Sequence, residues 1–322
     1  MMINYFITGI TGQDGIFLTK KLLQSNKNIH IYGSTRQVEN LNFYKKLSSI
    51  CSFDDSRISL IQIDLLNSSS VHTFLSDIKP KQIYNLTGPS SVYESYINPL
   101  NSRHQITKIF ENLTKSLVKL NYFPRLFQAS SSEMFGTLSH GNLTEKDDFK
   151  PISPYAKAKL ENHKNVSSLR NEYEWEIYSG ILFNHESQFR NNNYLLMKII
   201  NTAREIALKN QKKITLGSLD YQRDWTYADD TVDAMIKIIN SNTKEDFVIG
   251  SGNTHSINEM ANVVFDYFNL KLEKYIHIDS NLLRNNDPIV VGCSPIKLIE
   301  TTGWKSVNSF ENMIHKTIEG QL

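Results

Sequence analysis

Residues 3–15 read Ile3-Asn-Tyr-Phe-Ile-Thr8-Gly9-Ile-Thr-Gly12-Gln-Asp-Gly15. A short, mostly apolar run meets three glycines spaced three apart, and a helical pattern follows from about Asp14 to Gln24. A residue without a β-carbon permits a tight turn. It also lets backbone N–H groups approach a pyrophosphate at the amino end of the next helix. Strand, glycine turn and helix in this order predict the opening of a dinucleotide-binding βαβ unit, with Gly9, Thr11, Gly12, Gln13, Asp14 and Gly15 at the cofactor.

The same alternation continues through the first half of the chain. Strands are predicted from Ile29 (IHIYGS) and over 58–64, 81–87, 125–130 and 175–182. Helices are predicted from about Ser68, over about 95–121, and from Pro154 to about Asn171. Near-continuous apolar strands separated by helices imply a parallel sheet buried on both faces, in a doubly wound α/β fold of Rossmann type. Ligands then bind outside the carboxyl ends of the strands.

After Ile181 the pattern changes. The segment 183–193 is polar and loop-like, a helix is predicted from Tyr194 to about Lys209, and a short strand at 213–217. A helix over Ala228–Ile239 and a strand over Phe247–Ile249 return to the sheet, and shorter helices follow, one near 308–318. The expected plan is a Rossmann core over 1–182, completed by about 213–250, with a smaller discontinuous lobe from 183–212 and 251–322.

Composition narrows the function. The chain has 322 residues, 40% hydrophobic and 21% charged, enough for a packed interior. Its formal net charge of +2 gives no bulk electrostatic reason to expect nucleic acid or an anionic membrane as partner. The two cysteines, Cys51 and Cys293, make no disulfide framework, and the histidines form no metal motif, so no metal is expected. No apolar run approaches the roughly 18–20 residues of a membrane span. The amino terminus runs straight into the glycine motif without a signal peptide, so a cytoplasmic location is expected.

The segment after the second predicted strand reads Gly33-Ser-Thr-Arg36-Gln. An NAD site usually places a carboxylate there for the ribose 2′-hydroxyl. Here Arg36 offers a partner for a 2′-phosphate, which favours NADP over NAD. Asp64-Leu65, past the third strand, is placed to edge the adenine. Ser153-Pro-Tyr155-Ala-Lys-Ala-Lys159 puts a phenol and an ammonium four apart at a helix start, on one face. A nearby ammonium favours the phenolate, so the pair suits proton removal from a hydroxyl whose carbon gives up hydride. At the end of the fifth strand, Gln128-Ala-Ser130-Ser131-Ser132-Glu133 supplies hydroxyls near the tyrosine, and a carboxylate. A simple alcohol dehydrogenase needs no such carboxylate. An enzyme that removes a carbon-bound proton and expels water does.

Together these segments resemble the extended short-chain dehydrogenase/reductase family, and within it the GDP-mannose 4,6-dehydratase branch. The resemblance rests on ITGITGQDG at 7–15, QASSSEMFG at 128–136, SPYAKAK at 153–159, GILFNHES at 180–187 and LGSLDYQRDWTYADD at 216–230. It implies catalytic positions at Ser131, Glu133, Tyr155 and Lys159. It implies cofactor contacts at Leu86, Thr87, Ser90, His185 and Arg190, and nucleotide-sugar contacts at Ser90, Asn184, Lys198, Arg223 and Arg284. It further implies a homodimer or homotetramer. The sequence departs from the branch in places. Ser131 stands where Thr is usual, Thr87-Gly-Pro89-Ser-Ser91 replaces Ala-Ala-Gln-Ser-His, and Asn101 stands where Tyr is usual. Gln188-Phe189 replaces Pro-Arg, and Met197 replaces Arg. A hexose or heptose other than mannose, on GDP or another nucleotide, is compatible with these changes.

The reaction implied is a 4,6-dehydration of a nucleotide sugar by internal hydride transfer. A 4-dehydrogenase or 4-epimerase on the same scaffold is the rival enzyme, and a non-enzymatic nucleotide-binding regulator the rival of another class. A sensor has no use for Tyr155, Lys159 and Glu133 together.

Overall fold

The computed structural model describes residues 2–36, 41–283 and 286–321. Its strands are β1 (Ile3–Thr8), β2 (Ile29–Thr35), β3 (Ile58–Gln62), β4 (Gln82–Asn85), β5 (Arg125–Ala129), β6 (His140–Leu143), β7 (Ile177–Leu182), β8 (Asn184–Glu186), β9 (Ile214–Leu216), β10 (Gln222–Tyr227), β11 (Phe247–Ile249), β12 (Thr254–Ser256), β13 (Ile276–Ile278) and β14 (Val290–Cys293). The helices are α1 (Gln13–Ser25), α2 (Leu41–Ser48), α3 (Ser68–Ile78), α4 (Val92–Ile97), α5 (Pro99–Lys119), α6 (Pro154–Tyr173), α7 (Leu195–Ala207), α8 (Ala228–Ile239), α9 (Ile257–Tyr267), α10 (Ile296–Thr302) and α11 (Phe310–Glu319).

The main sheet runs β11-β7-β5-β4-β1-β2-β3, and every pairing in it is parallel. Successive strand residues go to opposite faces. Ile7, Tyr84, Phe127 and Tyr178 join a core with α1 and α8, while their neighbours Phe6, Ile83, Leu126 and Ile177 join a second core with α3 and α5. Both faces are covered, which is why these strands read as unbroken apolar runs. The order reverses direction beside β1, between β2 and β4, and this opens a crevice at the carboxyl edge. The doubly wound fold is as expected.

The register aligns Thr8 with Asn85 and Asn85 with Gln128 along that edge. Thr8 Oγ1 donates to Asn85 Oδ1 at 2.6 Å, and Asn85 Nδ2 donates to Gln128 Oε1 at 2.6 Å. This buried polar row holds three strand ends level beneath the crevice.

Some elements differ from the sequence reading. The single helix expected over 95–121 is two helices, α4 and α5. Pro99 lacks an N–H and disfavours helical geometry at the residue before it, so Asn98 sits at φ −127°, ψ 68° and a new helix starts with proline in its first turn. The expected loop over 183–193 contains β8, which pairs with β10. A second sheet, β12-β10-β14-β6, gathers short segments that carry little strand pattern. Within 213–250, α8 packs on the main sheet and β11 pairs in it, while β9 pairs with β13 and β10 lies in the second sheet. Among the described residues no helix is long and apolar enough to cross a membrane.

Candidate active site

The glycine turn is shaped by sterics. Gly9 adopts φ +70°, which favours glycine. A β-carbon on Gly15 would lie 2.4 Å from the Ile10 carbonyl oxygen, so only glycine lets α1 start this close to β1. Gly12 caps α1 without a side chain, which leaves the first-turn amides open toward the crevice. Thr87 Oγ1 is buried with no hydrogen-bond partner, beside the place a Gly9 β-carbon would occupy, at 3.2 Å. An open helix terminus, a wall that admits only glycine and an orphaned hydroxyl fit a dinucleotide phosphate bridge.

The other predicted cofactor residues surround this turn. Thr11 is half-buried, and Arg36 is exposed just past β2. Asp64 turns its carboxylate onto the Leu66 amide at 2.9 Å, and Leu65 is buried, its carbonyl held by Asn112. The Leu86 and Thr87 amides both donate to Thr8 Oγ1, at 3.1 and 3.2 Å. His185 donates from Nε2 to Asp14 at 3.1 Å and from Nδ1 to the Phe183 carbonyl at 2.8 Å. Burial opposes a charge on this ring, but the Asp14 carboxylate and two acceptors outweigh it and raise the histidine's pKa. Burial likewise opposes the Asp14 carboxylate, and the charges of His185 and Arg190 win and lower its pKa. Gln13 accepts from Ser187 Oγ at 2.7 Å and donates to the His185 carbonyl at 3.2 Å.

The catalytic candidates meet at the end of β5 and the start of α6. Ser153 caps α6 through the Ala156 amide at 3.0 Å, and Pro154 occupies its first turn. This start places Tyr155 and Lys159 one turn apart, with Lys159 Nζ 5.7 Å from the phenol ring centroid. Lys159 Nζ donates to the Ala129 carbonyl at 2.9 Å. Ser131 stands close enough to the Tyr155 side chain to pull its pKa down. Glu133 stands on the 3₁₀ turn Ser132–Phe135, its amide donating to Ser131 Oγ at 3.3 Å.

The electrostatics differ from the expectation of a lowered phenol. Burial raises the Tyr155 pKa and dominates; the Ser131 side chain and the Arg190 charge pull it down, while Glu133 and Tyr194 push it up. Burial also lowers Lys159 to about 8, against the attraction of Asp14. Desolvation penalises the charged form of each partner, so in the unliganded site the phenol stays neutral and the Lys159 charge is weakened but kept below pH 8.

A cleft open to solvent adjoins these groups; Tyr96, Glu133, Ser153, Asn184, Arg223 and Asp287 line it. Asn184 and Arg223, expected as nucleotide-sugar contacts, line one cleft with Glu133. Arg223 donates from Nη2 to Asp287 Oδ1 at 2.8 Å and from Nη1 to the Gln222 carbonyl at 2.8 Å. Lys198 is not among the residues lining the cleft; it is exposed, with Nζ on the Thr215 carbonyl at 2.8 Å. Arg284 lies outside the described residues. Sequence reasoning missed Tyr96, Asp287 and Tyr194. Tyr194 accepts or donates a 2.8 Å hydrogen bond with Ser90, 104 positions away, and no local pattern signals such a contact.

The GDP-mannose 4,6 dehydratase family model matches residues 6–317. GDP-mannose 4,6 dehydratase 2 of Arabidopsis thaliana is 31% identical over 324 residues, covering 98% of this chain and 86% of that protein. Among solved structures, dTDP-glucose 4,6-dehydratase from Bacillus anthracis in complex with NAD matches with a TM-score of 0.85 at 18% identity, covering 99% and 96% of the two chains. RMD from Pseudomonas aeruginosa complexed with NADPH matches with a TM-score of 0.79 at 18% identity, covering 99% of each.

Proposed function

We infer the activity from one premise: the chain belongs to the GDP-mannose 4,6-dehydratase family. It is a nucleotide-sugar 4,6-dehydratase, a hydro-lyase built on a dehydrogenase scaffold. Its substrate is a GDP-sugar, and GDP-mannose is the one the family relation favours. The cofactor is NADP, held by the glycine turn with His185 beside it and by Thr87, with Arg36 toward the 2′-phosphate, and by Lys159 and Arg190 toward the nicotinamide. The lobe of 183–212 and 251–322 holds the nucleotide sugar over the core, through Asn184, Arg223, Lys198 and Arg284. The protein works as a cytoplasmic homo-oligomer.

NADP held by these residues would supply the hydride acceptor for carbon 4 and the hydride donor for carbon 6. Tyr155 takes the 4-hydroxyl proton. Ser131 holds that oxygen, while Lys159 and Arg190 favour the phenolate. The resulting ketone acidifies carbon 5. Glu133 removes the carbon-5 proton and protonates the departing 6-hydroxyl, so water leaves. A proton returned to carbon 5 balances the one Tyr155 took, and the product is a 4-keto-6-deoxy sugar with no net change in cofactor.

The observation that carries this reading is that Glu133 lines the same cleft as Asn184 and Arg223, next to Tyr155. The test incubates the purified chain with a panel of nucleotide sugars. Loss of one water from GDP-mannose without net NADPH formation is expected. A product that keeps its 6-oxygen, or net nicotinamide reduction, overturns it in favour of a 4-epimerase or 4-dehydrogenase.

A further inference from the structure

The segment 185–194 crosses the carboxyl edge of the main sheet and is pinned on both sides of the dinucleotide crevice. On the glycine-turn side its anchors are buried. His185 holds Asp14 at 3.1 Å, and Ser187 holds Gln13 at 2.7 Å. His185 is 8% exposed, Gln13 9% and Ser187 0%. On the other side the contact is Tyr194 with Ser90 in the loop after β4, at 2.8 Å. Here Ser90 is exposed and Tyr194 half-exposed.

Between the two anchorages lies Arg190. Its guanidinium carbon stands 3.7 Å from the Tyr194 ring centroid, and its Nε is 3.4 Å from Glu186 Oε2. That spacing makes an ion pair, yet neither atom has a hydrogen-bond partner. The stacked ring is therefore the firm neighbour of Arg190. Tyr194 thus does two things at once: its ring seats Arg190, and its hydroxyl ties the segment to the β4 loop.

We propose that Tyr194 is a positioning residue that latches this strap across the crevice, so that a dinucleotide beneath it leaves only after the Tyr194–Ser90 contact opens. Tyr194 also caps α7, whose Leu196 and Met197 are buried, so both ends of the strap stay anchored and the water-exposed Tyr194–Ser90 contact is the part that opens. An internal redox cycle needs no cofactor exchange, so a latch that slows release costs the reaction nothing. The latch rests on the dinucleotide-dependent reading above and extends it to a residue that reading did not use.

The test loads the full chain with NADPH and follows its release by fluorescence after a large excess of NADP is added. Tyr194→Phe keeps the ring beneath Arg190 and removes only the hydroxyl. Release is expected to quicken about fivefold, the scale of one net hydrogen bond. Tyr194→Leu, which also unseats Arg190, should release faster still. Ser90→Ala should match Tyr194→Phe, and the double variant should be no faster than either single one, because one contact is broken once. Unchanged release in Tyr194→Phe, or effects of the two single variants that multiply, overturns the latch alone. A wild-type chain that holds no NADPH overturns the dinucleotide reading and the latch with it.

Discussion

At the scale of single residues, the site is a set of charges kept out of water. Glu133 is the residue that separates dehydration from simple oxidation. Glu133→Gln keeps size and polarity but cannot take a carbon-bound proton, so water loss should fall by about 10²–10⁴-fold while nucleotide-sugar affinity changes little. Product mass and calorimetric binding, measured on one preparation, check this. Lys159 is 7% exposed and burial brings it down to about 8, so its charge is a burden on the unliganded fold. Below pH 8 the folded chain holds that charge in a dry site; between 8 and 10.5 only the unfolded chain still carries the proton, so wild-type stability rises with pH across that window. Lys159→Met should then stabilise the unliganded chain by about 1–2 kcal/mol near neutrality, and the gain should shrink toward pH 10. Denaturant melts at the two pH values measure it, and turnover in the same variant should be lost.

At the scale of elements, close approach matters more than propensity. The β1–α1 turn works because α1 packs almost onto the Ile10 backbone. Gly15→Ala would put a methyl 2.4 Å from the Ile10 oxygen, and backbone cannot swing aside as a side chain does. The variant should lose at least about 1 kcal/mol of stability and weaken NADPH binding about tenfold or more, read from a melt and a fluorescence titration. The break between α4 and α5 has the same local character, since Pro99 removes a donor and Asn98 leaves helical geometry. It brings Val92 and Tyr96 to the rim of the cleft while α5 goes on to pack the sheet.

At the scale of the whole molecule, buried charge ties the layers together. His163 on α6 faces Ser179 of β7 at 2.8 Å and Asp246 at 3.7 Å, and Asp246 also holds Arg170. Burial lowers the histidine's pKa below 6.5; Arg170 adds to this and Asp246 opposes it. As pH falls through about 6.5 the unfolded chain takes a proton that the folded chain refuses, so this group subtracts stability in acid. His163→Gln should flatten the loss of stability between pH 7.5 and 5.5, and parallel denaturant melts check it. His185, with its raised pKa, has the opposite sign and contributes most at low pH. The doubly wound core was legible because strand and helix periodicities are local, and so is the four-residue spacing that puts Tyr155 and Lys159 on one face. The glycine turn was legible for the same reason, since backbone sterics act over a few residues. The second sheet was not, because β6, β8, β12 and β14 span only three or four residues each and they and β10 are drawn from distant parts of the chain. Nor were the Arg223–Asp287 pair, the Ser90–Tyr194 contact or the balance of burial against charge at Tyr155. Each depends on which distant groups folding brings within a few ångströms and how much water it removes between them, and neither quantity is written in any one segment.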